Sequence, residues 1–274
     1  MKKIFAVLFA IVSFATVSFA EDWDSAAALK RVNTIGTKIL KANNVQQPIE
    51  FKVSEQEDIN AYANLDKEVY VYKGLLQYVD NDTELAAVIS HEIGHILNGH
   101  CAKQGVLNTG IATVASIAAQ KYNQTAVAAA QQLTVTKISR NDEFEADLTG
   151  VDIMSKAGYN PLAMVSVLNK ICGNYIDILQ THPSGEKRLM NIYDYVAYNN
   201  PAQIQKGFGS ESYTKALAVI TPNVEKRNKS ARLQKKYEKA QKKLIAKKQK
   251  RAKKLQNSNT IWDGYYNALQ LMAS

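Results

Sequence analysis

Apolar positions recur at helical spacing between Asp24 and Lys41. There Ala28, Leu29, Val32, Ile35, Ile39 and Leu40 share one side of a 3.6-residue period, which predicts an amphipathic helix. Pro48 opens Ile49-Glu50-Phe51-Lys52-Val53, whose strict alternation predicts a strand with one buried face. A second short strand is expected around Asn60 to Asn64, and a third at Val69-Tyr70-Val71-Tyr72, built from residues that suit a pleated surface. The helical period returns from Thr83 to Gly99, with Asp82 as its candidate N-cap and Leu85, Val88, Ile89, Ile93, Ile96 and Leu97 as its buried stripe. Asn160-Pro161 supplies the cap and first turn of a helix from Pro161 to Ile171. Between these two helices, Gly105 to Ala130 is rich in Ala, Val and Ile. Asn108, Thr109, Gln120 and Lys121 interrupt it, so it reads as a packed or pocket-covering helix rather than a membrane span. The pattern is that of an α+β fold, mainly helical, with a small N-terminal sheet.

The ends of the chain depart from this pattern. Lys2 and Lys3 precede an apolar run reaching Phe19, and Ser18-Phe19-Ala20 offers a small-x-small cleavage site before acidic Glu21-Asp22. Residues 1–20 therefore read as a secretory signal, and export to the periplasm or cell surface is expected. No cysteine follows Ala20, which argues against a lipid anchor. Pro201, Gly207 and Gly209 mark the expected end of a folded domain covering residues 21–205, with a linker at 206–223. Residues 224–256 hold fifteen lysines and arginines against Glu225 and Glu238, and a tail, 257–274, follows. The rest of the chain has 19 basic and 23 acidic residues, so the net charge of +9 belongs to this one segment. Leu233, Tyr237, Ala240 and Leu244 give it a narrow helical seam. Its expected partner is an anionic membrane surface or cell-envelope polymer, with no nucleic acid expected outside the cytoplasm. An oxidising compartment permits Cys101 and Cys172 to pair, provided their Cα atoms come within about 7 Å.

The candidate chemistry lies in His91-Glu92-Ile93-Gly94-His95. Residues four apart on a helix share a face, so His91 and His95 can reach one ion. Neutral imidazole suits zinc, and the intervening Glu92 is a candidate general base. Catalytic zinc takes a third protein ligand. The extended metzincin spacing would put it at Cys101, so that pattern fails. Glu143 and Asp147, also four apart, offer one carboxylate for zinc and one for a ligand histidine's free N–H. Glu145 points away from that shared face, and His100 is expected to cap the end of the His91 helix.

Tyr72-Lys73-Gly74-Leu75-Leu76, Glu84 through His95, Ser139-Arg140 through Asp147, and Thr181-His182-Pro183 with Arg188 follow one another over roughly residues 60 to 190. In these pieces the chain resembles the zinc peptidases that include the CAAX prenyl protease, HtpX and periplasmic quality-control proteases such as BepA. The resemblance implies a zincin-like gluzincin fold, one zinc per chain held by His91, His95 and Glu143, and Asp147 orienting a histidine. It implies catalytic roles for His182 and Arg188 near the oxyanion, with His182 also able to act as an inhibitory fourth ligand. It further implies that Val69 to Tyr72 is an edge strand against which a peptide or unfolded protein substrate pairs. The chain departs from the pattern in lacking the transmembrane helices of the prenyl protease and HtpX and the helical repeats of BepA. The expected activity is metalloendopeptidase action on exported or misfolded envelope proteins. A catalytically silent zinc-fold adaptor is the alternative, against which the intact Glu92 argues.

Overall fold

The computed structural model describes residues 23–101, 140–173 and 185–256. The signal segment, the helix expected within 105–130, the Thr181-His182-Pro183 turn and the tail 257–274 lie outside the described residues.

Helix α1 (Ser25–Ala42) starts where the carboxylate of Asp24 accepts the Ala27 N–H at 2.9 Å, and it buries Val32, Ile35 and Ile39. It packs on a three-stranded sheet of β1 (Glu50–Ser54), β2 (Ala61–Ala63) and β3 (Glu68–Tyr72), in the order β1-β3-β2. All three expected strands form. β3, however, is the central strand, not an edge. It pairs in parallel with β1, Phe51 opposite Val69, and antiparallel with β2, Ala61 opposite Val71. The cause is the tight turn before it: Asn64 Oδ1 accepts the Glu68 N–H at 2.9 Å, and Lys67 takes a φ of 63°. That turn folds β2 back against β3 and fills the edge that a substrate was expected to use.

A one-and-a-half-turn helix, α2 (Lys73–Tyr78), follows with Leu75 and Leu76 buried. Helix α3 (Asp82–Leu97) is capped by Asn81, not by the expected Asp82. The side-chain Oδ1 of Asn81 accepts from the N–H groups of Thr83 and Glu84 at 3.0 Å each, and Asp82 is instead the first helical residue, paired with Arg31 at 2.7 Å. Every residue of α3 from Glu84 to Leu97 is buried, so it is the central helix of the body and not an amphipathic surface helix. Helix α4 (Arg140–Lys156) crosses it closely. Helix α5 (Leu162–Gly173) begins at Asn160, whose side chain accepts the Leu162 N–H at 3.0 Å. Ser166 on α5 donates to the buried carboxylate of Glu84 at 2.7 Å and ties α5 to α3.

Beyond α6 (Glu186–Asn199) the folded body continues, which corrects the expected boundary. Pro201 is the first residue of α7 (Pro201–Lys206), and Gly207, at a φ of 65°, ends it. The Pro and Gly signals near residue 205 therefore mark helix ends. Most of the expected linker is helix α8 (Glu211–Asn228), which buries Ser212, Tyr213, Ala216 and Ile220 against α5.

The basic segment is helix α9 (Ala231–Gln256), and its inner face is anchored on the body. The Tyr237 hydroxyl donates to the Asp194 carbonyl at 3.0 Å, Gln241 is buried, and Leu244 packs against the core. Lys248 donates to Asp152 at 2.6 Å and to the Tyr195 hydroxyl at 2.7 Å. Of the expected seam, Leu233, Tyr237 and Leu244 face inward, while Ala240 is exposed and Gln241 takes its place.

Candidate metal centre

Two glycines set the distance between the helices that carry the site. A Cβ on Gly94 of α3 would lie 2.7 Å from the Ala146 carbonyl oxygen of α4, and one on Gly150 of α4 would lie 3.1 Å from the His91 nitrogen. Their absence lets the two helices meet almost backbone to backbone. Glu143 and Asp147 on α4 thereby come directly beneath His91 and His95 on α3.

The Nε2 atoms of His91 and His95 are 3.1 Å apart. Glu143 completes a triangle, with Oε2 at 3.4 Å from the first and Oε1 at 3.3 Å from the second. A tetrahedral zinc with ligands at about 2.0–2.1 Å separates neighbouring donor atoms by about 3.3 Å, the spacing found here. The donor set, two imidazoles and one carboxylate, suits zinc, and all three side chains are buried.

The partners of these ligands are equally ordered. Asp147 Oδ1 lies 2.9 Å from Nδ1 of His91, which leaves Nε2 of that ring for metal. Arg188 donates through Nε and Nη2 to Asp147 at 2.7 and 2.6 Å, and its Nη1 lies 2.8 Å from Glu143 Oε2. Three nitrogens of Arg188 are thus engaged by carboxylates that are 0% exposed. This geometry makes Arg188 a clamp on Glu143 and Asp147 and gives no support to the expected place at an oxyanion.

Burial opposes charge on His91, but the carboxylates of Asp147 and Glu143 outweigh it and raise its pKa to about 10 in the metal-free chain. Burial likewise pushes Asp147 up, and Arg188 and His91 together hold it below the ordinary aspartate value. Glu92 is 1% exposed, on the same helix as the histidines. His182 lies outside the described residues.

Asn98, His100 and Cys101 near the centre take roles that their spacing along the chain did not reveal. Asn98 Nδ2 donates to the Gly94 carbonyl and to Thr149 Oγ1, both at 2.8 Å, and so closes the end of α3, the task expected of His100. His100 instead folds under the metal site with its Nδ1 at 3.0 Å from Nδ1 of His95. Glu145 does point away from the triad, as its period predicts, and sits 3.6 Å from His100. Cys101 is a free thiol that donates to the Ala63 carbonyl at 3.6 Å. Burial, and then the charge of Glu92, push its pKa up to about 12, so it is not poised as a nucleophile. The side chain of Cys172 lies outside the described residues.

Comparison with known proteins matches residues 26–196 to peptidase family M48. The chain is 30% identical over 178 residues to the β-barrel assembly-enhancing protease of Yersinia pestis, covering 58% of this chain and 37% of that protein. It is 28% identical over 194 residues to the protein of the same name from Escherichia coli (strain K12), covering 64% and 40%. It is 30% identical over 177 residues to the metalloprotease LoiP of that strain, covering 60% of this chain and 69% of LoiP. The chain thus spans well under half of the two assembly-enhancing proteases and about two thirds of LoiP. The match ends within α6, so α8 and the basic helix α9 lie beyond it. With more than half of its length matched and the candidate ligand triad brought together by α3 and α4, the chain belongs to peptidase family M48, the zinc metallopeptidases that include the β-barrel assembly-enhancing proteases.

Proposed function

We propose that this chain is a zinc-dependent endopeptidase that hydrolyses peptide bonds of exported or misfolded envelope proteins. The observation that carries the reading is the buried triad of His91, His95 and Glu143, at the mutual spacing of three corners of a zinc tetrahedron. When bound, zinc would supply Lewis acidity, polarising the scissile carbonyl and lowering the pKa of a water molecule so that a base can deprotonate it for attack. Glu92 takes the proton from that water and delivers it to the leaving amine. Asp147 holds His91 in the tautomer that leaves Nε2 open, and Arg188 fixes the carboxylates of Asp147 and Glu143. The resemblance gives His182 one of two roles in this reading, a donor to the developing oxyanion or an inhibitory fourth ligand of the zinc. Of the two edge strands left by the central β3, β2 packs on α3, and its backbone edge is the one assigned to an extended substrate.

Periplasmic location is part of the same proposal and is supported by the Lys2-Lys3 leader. Among the described residues no helix is long and apolar enough to cross a membrane. The decisive experiment is Glu92→Gln in the full chain. It should retain zinc and fold while losing cleavage of an unfolded substrate by about 10²–10⁴-fold. Cleavage at the wild-type rate by a zinc-loaded variant refutes the mechanism. An inactive wild-type chain that binds zinc would favour the adaptor.

A second role rests on α9. With its inner face docked, its outer face runs from Arg232 through Lys235, Lys236, Lys239, Lys242 and Lys243 to Lys250, all exposed and on one side of the helix. This ridge suits an anionic lipid surface or envelope polymer. It consists mainly of lysines, point charges that read a diffuse field, and carries no aromatic side chain for stacking on bases. The chain should bind phosphatidylglycerol vesicles in a salt-dependent way, and Lys235→Glu with Lys239→Glu should abolish this without changing the melting temperature. Equal retention on neutral and anionic vesicles at low salt removes the role.

A further inference from the structure

On the side turned away from the triad, Nδ1 of His91 meets the carboxylate of Asp147, whereas Nδ1 of His95 meets a ring. Nδ1 of His95 faces Nδ1 of His100 at 3.0 Å, with ring centroids 5.1 Å apart and planes at 69°. Two ring nitrogens at that distance share a single hydrogen, so one donates and the other accepts. The proposed zinc fixes the direction. His95 turns Nε2 toward His91 and Glu143, and an Nε2 that binds metal must offer its lone pair, so the hydrogen of His95 resides on Nδ1. His95 is therefore the donor and His100 Nδ1 the acceptor. The hydrogen of neutral His100 is then on Nε2. That atom is buried without a hydrogen-bond partner, in a residue 3% exposed, and it points at Glu145 at 3.6 Å and Asp142 at 3.8 Å.

We infer that His100 is a positioning residue of the metal centre: it accepts the Nδ1–H of His95, fixing the tautomer and ring plane in which His95 binds zinc, and directs its own Nε2–H at Asp142 and Glu145. The inference rests on the zinc reading of His91, His95 and Glu143. Local sequence explains how His100 arrives there. α3 ends at Leu97, Asn98 closes its last turn, and Gly99, at a φ of 69°, swings the chain so that the next ring tucks beneath His95. The two ligand histidines thus have unequal supports. His91 leans on an anion that Arg188 compensates, and His95 leans on a neutral ring with carboxylates behind it.

His100, Asp142 and Glu145 also lie close enough together to hold an ion of their own. The hydrogen count decides against it. A metal on His100 Nε2 would move the hydrogen of His100 to Nδ1, which would then donate to His95. His95 would in turn carry its hydrogen on Nε2, where the zinc of the main site must bind. With neutral rings the two sites exclude one another, and the main site has three buried ligands, whereas Glu145 in the other is only partly buried. Lys247 at 3.3 Å already supplies a cation to Glu145.

The test uses the full chain. Zinc stoichiometry and affinity are measured by chelator competition, and the site is read by the absorption spectrum of the cobalt(II)-substituted protein. The variants are His100→Ala and His100→Asn, the latter because an asparagine carbonyl falls near the imidazole Nδ1 position and can accept the same hydrogen. Wild type should bind one zinc. His100→Ala should lose about 10–100-fold in zinc affinity and shift the cobalt spectrum, and His100→Asn should recover most of both. Histidine ¹⁵N resonances of the zinc-loaded wild type need no variant, and they should show His100 with its hydrogen on Nε2. A His100 hydrogen on Nδ1, an unchanged cobalt spectrum and affinity in His100→Ala, or a second zinc lost in Asp142→Asn each overturns the inference. A wild-type chain that binds no zinc instead sinks the zinc reading and takes this inference with it.

Discussion

Replacing Arg188 by methionine removes a cation that, among the described residues, bridges both acidic groups beneath the candidate metal site, and it keeps a side chain of similar reach. In the metal-free chain Arg188 makes two short bonds to Asp147, at 2.7 and 2.6 Å, and one contact to Glu143 at 2.8 Å, and both carboxylates are 0% exposed. Breaking a buried ion pair from one side strands the other partner in a medium that solvates it poorly, at a cost of about 3–5 kcal/mol. For a body of this size each kcal/mol moves the melting temperature by about 2–4 °C, so Arg188→Met should melt roughly 6–20 °C below wild type in the presence of a chelator. Because the pair is buried, the difference should persist in roughly 0.5 M salt, where exposed pairs are screened. Zinc places positive charge beside Glu143 and should recover part of the loss. Thermal unfolding followed by circular dichroism, with chelator and with zinc, measures all three. A chelated variant that melts within about 2 °C of wild type would show that Arg188 is not the clamp described.

Gly94→Ala puts a methyl group 2.7 Å from a backbone oxygen that has nowhere to go. It should cost about 1–3 kcal/mol and spread α3 from α4, and wild-type zinc content together with a wild-type melting temperature would contradict this. The metal-free chain should also show opposed pH limits. The pKa of His91 is raised to about 10, so its stabilisation is complete below about pH 6.5 and is lost as pH rises through about 10. Asp147 is held below its ordinary value, so its contribution is present above about pH 4 and is lost as acid reaches its depressed pKa. A melting profile in chelator that stays level from pH 6.5 to 10 counts against the His91 environment. Zinc should flatten that alkaline arm, because the metal needs His91 neutral. Lys248→Met removes the bonds at 2.6 and 2.7 Å that pin α9 to Asp152 and Tyr195. It should cost about 1.5–3 kcal/mol and speed amide exchange along α9, and unchanged protection would show that the helix is held by its apolar contacts alone.

How far the sequence reaches differs from element to element. The period of Ala28 to Leu40 and the alternation of Ile49 to Val53 identify α1 and β1 because each element's own residues carry the signal. The i, i+4 spacing of His91 with His95 and of Glu143 with Asp147 points to the candidate metal face for the same reason. The position of β3 in the sheet is not legible in this way. Val69 and Val71 alternate identically whether one flank of the strand is paired or both, and the turn at Asn64 to Lys67 decides. Pro201 and Gly207 suggest a linker until they are weighed with Tyr213, Ala216 and Ile220 downstream, which repeat at helical spacing and carry the core onward. The clamp role of Arg188 depends on where α6 lies against α4. That of His100 depends on the turn at Gly99 and on the placement of a single hydrogen, neither of which follows from spacing along the chain.

The three-residue length of β2 bears on what such a peptidase can discriminate. At about 3.3 Å per residue, the strand presents roughly 10 Å of backbone, enough for only two or three ladder bonds to a neighbour. These bonds contact main-chain groups and are indifferent to side-chain identity. A polypeptide accepted there has to surrender its own local pairing over a stretch of that length, which a helix or a paired strand in a sound protein does not do. On the proposed reading, this short edge would act as a filter on conformation, admitting a client by how readily a few of its residues come loose rather than by a consensus sequence.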